Sequence, residues 1–272
     1  MLSIDLRGRK MPSLGLGTWQ LTGSACERAV RLALDIGYRH IDTAEMYGNE
    51  AEIGRALAAS GIDRKAVFVT TKIWTNHLHA KDVGPTVEAS LRKLRTAYVD
   101  LLLIHWPNES VPLGETLGAM RKLQAAGKTL AVGVSNFPVK LMREAAETHK
   151  APIVCNQVEY HVQLDQTPVL DYARRHDIAV VAYCPLGRGR LIRHPVLRRI
   201  GAKHGKSAAQ VALRWLIQQD RVAAIPKSAS EANLRANFEI FDFALDRDDL
   251  KAIAALSAKD RLVDIGGTDW DA

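Results

Sequence analysis

The chain contains 272 residues, of which 47% are hydrophobic and 25% are charged, and its formal net charge is +7. This balance is ordinary for a folded chain with a sizeable core, and it excludes a largely disordered protein. The basic residues are scattered rather than gathered into a dense run. The charge therefore favours a solvated basic surface, and a phosphate-bearing cofactor or small acidic substrate, over nucleic acid as a partner.

The predicted elements begin with a hairpin over residues 4–11, with its turn at Arg7 and Gly8. Short apolar runs then alternate with amphipathic stretches of helical length, which is typical of repeated β-α units and a parallel sheet. Eight strands are predicted, over residues 14–17, 39–42, 67–72, 99–105, 130–135, 153–157, 179–183 and 222–226. Helices are predicted between and after them, over residues 26–36, 50–60, 83–95, 117–126, 139–149, 167–175, 208–218, 231–239 and 248–257, followed by a tail ending at Trp270.

This order of elements predicts an α/β protein, a (β/α)8 TIM barrel with an N-terminal β-hairpin and a short C-terminal tail. Such barrels commonly contain about 250 residues in one unit, so one domain over residues 1–272 is expected. The alternative is a doubly wound open sheet, which carries a glycine-rich fingerprint after its first strand. Residues 15–18 lack the third glycine of that fingerprint, which favours the barrel.

The cysteines and the N-terminus bear on the compartment. Cys26, Cys155 and Cys184 are odd in number and far apart, without the spacing of a zinc site, so they predict reduced thiols in a cytoplasmic protein. Residues 1–10 contain no apolar signal region, and no apolar stretch approaches the ~20 residues of a membrane span. Neither export nor membrane insertion is expected.

Four reactive side chains follow or close predicted strands: Asp42, Tyr47, Lys72 and His105. Each alone has an ordinary explanation, as a packing tyrosine, a solvated lysine or a satisfied core histidine. The carboxyl ends of barrel strands meet at one mouth, however, so these side chains are expected to converge. A phenol beside an ammonium group and an imidazole can protonate a carbonyl oxygen as a hydride reaches the carbon. The pattern therefore predicts a carbonyl reductase.

The chain resembles an aldo-keto reductase over nearly its whole length, and its short loops and tail are similar to those of the bacterial 2,5-diketo-D-gluconate reductase branch. The matching segments are GLGTW (15–19), GYRHIDTAEMYGNE (37–50), KIW (72–74), DLLLIHWP (100–107), GVSN (133–136), NQVEYH (156–161) and IPKS (225–228). The resemblance implies NAD(P)H-dependent reduction of aldehydes or ketones to alcohols, with Asp42, Tyr47, Lys72 and His105 as the catalytic tetrad. It also implies a monomer.

The roles of the four side chains follow from their acidity. A free phenol titrates near ~10, which makes it too weak an acid for easy use at neutral pH. We expect the Lys72 ammonium group to lower the pKa of Tyr47, the proton donor, and Asp42 to keep Lys72 charged. Neutral His105 is expected to hydrogen-bond the substrate oxygen.

Hydride chemistry is beyond side chains, so a nicotinamide cofactor must supply it. Ser135, Asn136 and Gln157 have groups suited to holding a carboxamide, and Tyr183 can stack on the nicotinamide ring. The resemblance places the pyrophosphate under residues 185–191. The predicted cofactor-binding residues are Gly17, Thr18, Trp19, Asp42, Ser135, Asn136, Gln157, Tyr183, Pro185, Leu186, Gly187, Ile225, Pro226, Lys227, Ser228, Asn233 and Asn237.

The adenosine end of this site departs from the family pattern. Lys227 and Ser228 match the family's 2′-phosphate site, but Asn233 stands where the family usually has an arginine. Loss of a guanidinium removes a bidentate phosphate contact. Ala236 also replaces a common glutamate, although Asn237 is retained. NADPH is the expected cofactor, and NADH is possible.

Three tryptophans, Trp19, Trp74 and Trp106, follow barrel strands and are expected to line the substrate pocket beside Tyr47 and His105. Trp270 in the tail is a further candidate for this wall. Indole walls favour aromatic or aliphatic carbonyl compounds. The polar side chains of His77 and Asn108 also leave sugar-derived keto acids open.

Two other functions remain open at the level of sequence. A metal-dependent hydrolase would use His40, His77, His79, His105 and His161, but paired histidines on the first strand are missing. The prediction is accordingly that no metal is bound. A nicotinamide-binding sensor or accessory subunit would have no need of the four reactive side chains, and turnover of an aldehyde distinguishes it from an enzyme.

Overall fold

The structure is a computed structural model that describes residues 2–265 and Trp270. Strands β1 (Ser3–Leu6) and β2 (Arg9–Pro12) form an antiparallel hairpin. Its turn places Arg7 and Gly8 at φ 54° and 96°, as the sequence predicted. A glycine is favoured in this left-handed region because it has no Cβ.

Eight parallel strands form the barrel, in the order in which they occur along the chain. They are β3 (Leu16–Gly17), β4 (His40–Asp42), β5 (Phe68–Ile73), β6 (Val99–Ile104), β7 (Thr129–Ser135), β8 (Ile153–Glu159), β9 (Ala179–Tyr183) and β10 (Val222–Ala224). A parallel bridge between Leu14 and Ala224 joins the first strand to the last, and the Gly15 N–H donates to Ala224 O at 2.9 Å. The predicted (β/α)8 barrel is confirmed.

Ten α-helices occur in the described part of the chain. They are α1 (Gly23–Ile36), α2 (Glu50–Ala59), α3 (Ala80–Leu94), α4 (Leu113–Ala125), α5 (Val139–Arg143), α6 (Thr167–Arg175), α7 (Pro195–His204), α8 (Ala208–Ile217), α9 (Glu231–Phe238) and α10 (Arg247–Ala254). Most bury one apolar face against the strands, as α6 does with Val169, Leu170, Tyr172 and Ala173. The predicted alternation of strands and helices is therefore confirmed.

Two helical segments differ from the prediction. Helix α7 was not predicted, although it buries Leu197, Ile200 and Gly201 on one face. A Cβ at Gly201 would lie 2.2 Å from Lys206 O, so close packing requires glycine there. The helix predicted over residues 139–149 is α-helical only through α5 and continues as a π-helical turn over Glu144–Thr148. Hydrophobic periodicity does not distinguish these two windings over so short a stretch.

The hairpin closes the amino-terminal end of the barrel. Ile4, Leu6 and Met11 pack with side chains inside the barrel, including Leu101 and Val181. The fully buried Asp100, near the start of β6, ties the hairpin to the strands. Asp100 contacts the Arg9 guanidinium and accepts hydrogen bonds from Arg64 Nη2 at 2.8 Å and Val69 N at 2.9 Å. Since this end is filled and cross-linked, the other end is the accessible one.

The helices and the cysteines of the described residues can be compared with the sequence. None of these helices is both long and apolar enough to cross a bilayer. Cys26 and Cys155 are buried, Cys184 is partly exposed, and all three are free thiols, as the spacing predicted.

Two helix glycines provide a matched test of the packing. A Cβ at Gly54 in α2 would lie 2.2 Å from Lys93 O, whereas a Cβ at Gly118 in α4 meets nothing within 4 Å. We expect Gly54→Ala to lower the free energy of unfolding by about 1–3 kcal/mol through overpacking. Gly118→Ala should raise it by about 0.5–1 kcal/mol, because alanine favours the helix. Urea denaturation measures both, and equal effects would contradict this account.

Candidate active site

The four reactive side chains meet at the carboxyl end of the barrel. Asp42 closes β4, Lys72 lies near the end of β5, and His105 directly follows β6. Tyr47 lies on a 3-10 turn, Glu45–Tyr47, that follows β4. The sequence therefore predicted correctly which side chains come together.

A buried asparagine holds the turn that carries Tyr47. Asn49 Nδ2 donates to Thr18 O and Leu21 O, both at 2.9 Å, and Asn49 Oδ1 accepts from Thr43 Oγ1 at 2.7 Å. These bonds join the loops after β3 and β4. Asn49 occupies the N-cap position of α2, but its side chain makes no capping bond.

The Lys72 ammonium group is the centre of the site. Its Nζ lies 2.5 Å from Asp42 Oδ1, 2.8 Å from Thr43 O and 3.4 Å from Tyr47 Oη. The side chain is fully buried. An ammonium group has three donors, and these three oxygens occupy them. Asp42 and Thr43 are buried, whereas Tyr47 is partly exposed. Of the three acceptors, the Tyr47 phenol is therefore the one that faces the mouth of the barrel.

Asp42 is held on its other side. Its Oδ2 accepts from Gln157 Nε2 at 2.7 Å, and its backbone oxygen accepts from Thr18 Oγ1 at 2.9 Å. Both carboxylate oxygens are therefore paired, as a buried charge requires. Gln157, predicted to hold a cofactor carboxamide, uses its Nε2 for Asp42 in this structure.

His105 stands between two aromatic rings. Its imidazole lies edge-on to Tyr47 at 5.5 Å and to Trp74 at 5.0 Å between ring centroids. Its Nδ1 is buried without a hydrogen-bond partner. Burial, and then the charge of Lys72, hold the pKa of His105 well below its usual value. The imidazole is thus neutral near pH 7, as the sequence analysis expected.

The acidity of Tyr47 differs from the prediction. Its pKa is raised well above the usual value, first by burial and then by the negative charge of Asp42, with a smaller contribution from Cys184. The prediction that Lys72 lowers the pKa of Tyr47 was therefore wrong. Asp42 and Lys72 form a pair, so the carboxylate offsets the field of the ammonium group at the phenol.

The residues predicted for the nicotinamide end lie next to this network. Tyr183 Oη donates to Asn136 Oδ1 at 2.8 Å, and Asn136 Nδ2 donates to His105 O at 3.0 Å. Ser135 Oγ donates to Gln157 O at 2.8 Å. Asn136 has φ 62°, a left-handed conformation that asparagine tolerates better than most residues. These four side chains are brought together as predicted.

The loop after β9 contains the predicted pyrophosphate segment. Pro185 and Leu186 lead into 3-10 turns in which Gly187, Arg188 and Gly189 all have positive φ. The Arg188 guanidinium lies 5.6 Å from the centre of the Trp19 ring, across the mouth of the barrel. This cation–π contact was not predicted from the sequence.

The predicted adenosine end lies around β10 and α9. Gly17 N donates to Pro226 O at 3.1 Å, and a Cβ on Gly17 would lie 2.6 Å from Ile225 O, so these three residues close the barrel there. Around them, Lys227 and Asn233 are exposed, whereas Ser228 and Asn237 are buried.

Arg235 is the arginine of α9 nearest in sequence to Asn233, two positions away. Residues two positions apart point to different faces of a helix. The Arg235 Nη2 lies 2.7 Å and its Nε 3.0 Å from Glu231 Oε1, so the guanidinium is paired along the exposed face of α9.

The three tryptophans that were predicted to line the substrate pocket differ in exposure. Trp19 is 40% exposed, Trp74 is partly buried against His105, and Trp106 is only 4% exposed. Trp106 therefore presents little surface to a substrate. Trp270 stacks on the Arg261 guanidinium at 3.7 Å from the ring centre.

Two acidic residues at the carboxyl end of the barrel, Glu45 and Glu159, were not predicted from the sequence as part of the site. Glu45 contacts the Trp74 backbone N–H and lies 3.1 Å from His77 Nδ1. Glu159 is fully buried at the end of β8. The position of Glu159 at the site could have been predicted, because it follows Gln157 by two positions and alternate residues of a strand face the same side.

The histidines that a metal-dependent hydrolase would use as ligands lie apart, in different surroundings. His40 contacts Pro12 O at the hairpin, His77 contacts Glu45, and His161 contacts Glu159. Over residues 2–265 and Trp270, no group of three His, Cys, Asp or Glu side chains is arranged to hold a metal ion.

Comparison with known proteins identifies the family. Residues 13–258 match the Aldo/keto reductase family. Methylglyoxal reductase DkgB of Escherichia coli O157:H7 is 40% identical over 266 residues, 96% of this chain and 99% of that protein. A solved structure described as a 2,5-diketo-D-gluconic acid reductase B has a TM-score of 0.97 and 46% identity, covering 99% of this chain and 97% of its own. An aldo/keto reductase structure from Brucella melitensis has a TM-score of 0.88 and 42% identity, covering 94% and 99%. The chain belongs to the aldo/keto reductase family and is similar to its diketogluconate reductase branch.

Proposed function

We propose that this protein reduces aldehydes or ketones to alcohols with a reduced nicotinamide cofactor, and that Tyr47 donates the proton. The observation that carries this proposal is the buried Lys72 Nζ, 2.5 Å from Asp42 Oδ1 and 3.4 Å from Tyr47 Oη, at the carboxyl end of the barrel. The names of the relatives, a methylglyoxal reductase and a diketogluconic acid reductase, support small carbonyl compounds as substrates.

The proton is held on Tyr47 until a substrate accepts it. A phenol whose pKa is raised by burial is fully protonated at neutral pH. As the proton leaves, negative charge develops on Oη, and the Lys72 ammonium group at 3.4 Å stabilises it. Lys72 thus acts on the phenolate that forms, while Asp42 keeps the ammonium charged and in place.

His105 is proposed to orient the substrate oxygen. Its neutral imidazole leaves Nδ1 buried without a partner, and the two aromatic contacts fix the ring plane. A neutral ring can donate from one nitrogen without competing with Tyr47 as an acid. Trp19 and Trp74, with a smaller contribution from Trp106, would provide the apolar wall beside it.

The polar residues near β7, β8 and β9 fit a nicotinamide. The amides of Asn136 and Gln157 and the hydroxyl of Ser135 would hold the carboxamide, and the partly exposed ring of Tyr183 would support the ring face. When bound, the reduced nicotinamide supplies the hydride. The residues we assign to this end are Gly17, Thr18, Trp19, Asp42, Ser135, Asn136, Gln157 and Tyr183.

The other end of the cofactor is proposed to lie along β9, β10 and α9. Pro185, Leu186 and Gly187 would cover the pyrophosphate, and the exposed Lys227, in the loop between β10 and α9, would meet a 2′-phosphate. Further contacts are assigned to Ile225, Pro226, Ser228, Asn233 and Asn237. NADPH remains the proposed cofactor, although Asn233 and the engaged Arg235 weaken its advantage over NADH.

A panel of carbonyl compounds assayed with both reduced cofactors tests the function. We expect methylglyoxal or a simple aromatic aldehyde to be reduced with NADPH, as followed by loss of nicotinamide absorbance. Absence of turnover with every compound would overturn the proposal. The single domain, the cytoplasmic location and the monomeric state expected from the sequence stay predictions.

Tyr47→Phe tests the proton donor. The ring and its packing remain while the hydroxyl is lost, so we expect kcat to fall by about 10²–10⁴-fold and the Kd for NADPH to change little. The matched control is Tyr98→Phe, which alters a tyrosine directly before β6 at the opposite end of the barrel. Near-normal turnover by Tyr47→Phe would contradict the assigned role.

Asn233→Arg tests the adenosine end. A new guanidinium should add a charge-assisted contact to the 2′-phosphate and increase the preference for NADPH over NADH by about 1–3 kcal/mol. Asn233→Gln lengthens the side chain without adding charge and serves as the control. The measurement is the ratio of kcat/KM values for the two cofactors. An unchanged ratio would mean that the phosphate is held elsewhere.

The neutral state of His105 has a consequence for stability against pH. The pKa of His105 lies well below 6.5, the ordinary value, in the folded protein. Below pH ~6.5 the unfolded chain therefore binds a proton that the folded chain does not, and stability falls; above it, neither state binds one. We expect His105→Asn to reduce this slope by up to about 1.4 kcal/mol per pH unit in urea denaturation. The half-exposed His79→Asn is the control, and an unchanged slope in His105→Asn would contradict the assignment.

A further inference from the structure

The carboxylate of Glu159 is fully buried at the mouth of the barrel. Glu159 is the last residue of β8 and pairs in register with Tyr183 of β9. Gln157, two positions earlier, bonds to Asp42. Since alternate strand residues face the same side, the Glu159 side chain lies on the Gln157 face of the strand, one step nearer the mouth.

This carboxylate binds the backbone of the C-terminal tail, residues 258–265. Leu262 N lies 2.9 Å from Oε1 and 3.0 Å from Oε2, and Val263 N lies 2.8 Å from Oε2. A carboxylate that accepts backbone N–H bonds makes charge-assisted contacts, which are stronger than those between neutral groups. The tail is therefore held by a charged group inside the barrel mouth.

His161 completes the set of donors around Glu159. Its Nε2 lies 3.0 Å from Glu159 Oε1, and its Nδ1 accepts from the Gln163 N–H at 3.3 Å. Because Nδ1 accepts, Nε2 carries the proton and donates. Three N–H groups thus point at the carboxylate, and His161 is itself buried.

The first part of the tail follows the loop after β8. Leu164 forms an antiparallel bridge with Lys259, and Asp165 N donates to Ala258 O at 2.8 Å. Asp260 lies 3.4 Å from Arg190 of the loop after β9. The Asp260–Arg190 ion pair is half-exposed, and such pairs contribute little, whereas Glu159 is fully buried.

The tail lies next to the site at Arg261 and Leu262. The Arg261 guanidinium stacks on Trp270, and Leu262 is bound to Glu159, which pairs in register with Tyr183. Tyr183 in turn bonds to Asn136 beside His105. The described tail therefore borders the proposed nicotinamide and substrate end of the barrel mouth.

We propose that Glu159 is a positioning residue of the reductase: by holding Leu262 and Val263 it fixes the tail as one wall of the carbonyl pocket. The assignment of that wall to a substrate pocket rests on the proposed function. The docking of the tail by Glu159 does not.

Glu159→Gln is the sharpest change, because it keeps the shape and removes the charge. In one orientation the new amide NH₂ faces the Leu262 and Val263 N–H groups. In the other it faces the His161 Nε2–H. A donor therefore meets a donor in either case, and a charge-assisted contact is lost.

Limited proteolysis measures the docking without any enzyme assay. The Arg261–Leu262 bond is a trypsin site whose nitrogen is the atom bound to Glu159. When opening is fast relative to cleavage, the rate follows the open population, so we expect about 10-fold to 100-fold faster cleavage after Arg261 in Glu159→Gln. The control is Glu147→Gln, a half-exposed glutamate outside the barrel that accepts from Tyr172 Oη at 3.0 Å, and it should leave this cleavage unchanged.

A second variant acts from the tail, in case Glu159→Gln impairs folding. Val263→Pro removes one of the N–H donors without altering the barrel, and it should also speed cleavage after Arg261. If both variants break the same contact, the double variant should be cleaved no faster than Glu159→Gln alone. Additive effects, or cleavage of folded Glu159→Gln at the wild-type rate, would overturn the docking role.

Steady-state kinetics decides whether docking matters to the pocket. With NADPH, we expect Glu159→Gln to raise KM for a carbonyl with an extended side chain by about 3-fold to 10-fold, while kcat and the Kd for NADPH change less than about 2-fold. Faster cleavage with an unchanged KM would overturn the positioning role. No turnover by the wild-type protein would overturn the proposed function and the pocket wall with it, while the cleavage rates would still decide whether Glu159 holds the tail.

Discussion

The buried ion pair between Lys72 and Asp42 is the interaction on which the rest of this site depends. Removing two charges from water costs several kcal/mol per ion, and only close pairing with further hydrogen bonds offsets that cost. The structure meets this requirement from three strands: β4 supplies Asp42, β5 supplies Lys72 and β8 supplies Gln157. Breaking one partner would leave the other charge buried and unpaired, which explains why so many neighbouring groups hold this pair in place.

The same pair shapes the chemistry that we propose. Burial first, and then the negative charge of Asp42, raise the pKa of Tyr47 rather than lower it, so the phenol stays protonated. The phenol is then a reservoir for one proton, and the ammonium group acts once negative charge develops on the oxygen. His105 contributes by remaining neutral, which burial and the Lys72 charge both enforce. The two titratable groups nearest the substrate are thus held uncharged beside a charged pair.

A second buried carboxylate extends this arrangement toward solvent. Glu159 lies on the same strand face as Gln157 and binds the tail rather than another side chain's charge. Strand β8 therefore carries, two positions apart on one face, a residue that steadies the ion pair and a residue that steadies the proposed pocket wall. In the loop after β9, the Arg188 guanidinium lies over the Trp19 ring. The loops after β3 and β9 therefore contact each other at the mouth of the barrel.

The sequence by itself determined the fold class and which four reactive side chains come together. Alternating apolar runs specify β-α units, and a closed barrel brings the ends of its strands to one mouth, so Asp42, Tyr47, Lys72 and His105 could be placed together from order alone. Helix α7 was missed altogether, and close packing at its Gly201 depends on a neighbour that the pattern does not reveal. The π-helical turn after α5 was missed because hydrophobic periodicity does not separate the two windings over a few residues.

Only the tertiary structure decided the electrostatics and the cross-links. The pKa of Tyr47 depends on the balance of burial, Asp42 and Lys72 in space, which residue types cannot give. The binding of the tail by Glu159 likewise depends on which atoms lie within hydrogen-bond distance. The order of the elements decides which strand ends meet, because the geometry of a barrel is regular. The hydrogen-bond partners of each polar atom depend on side-chain packing, and that packing depends on all the contacts of the fold together.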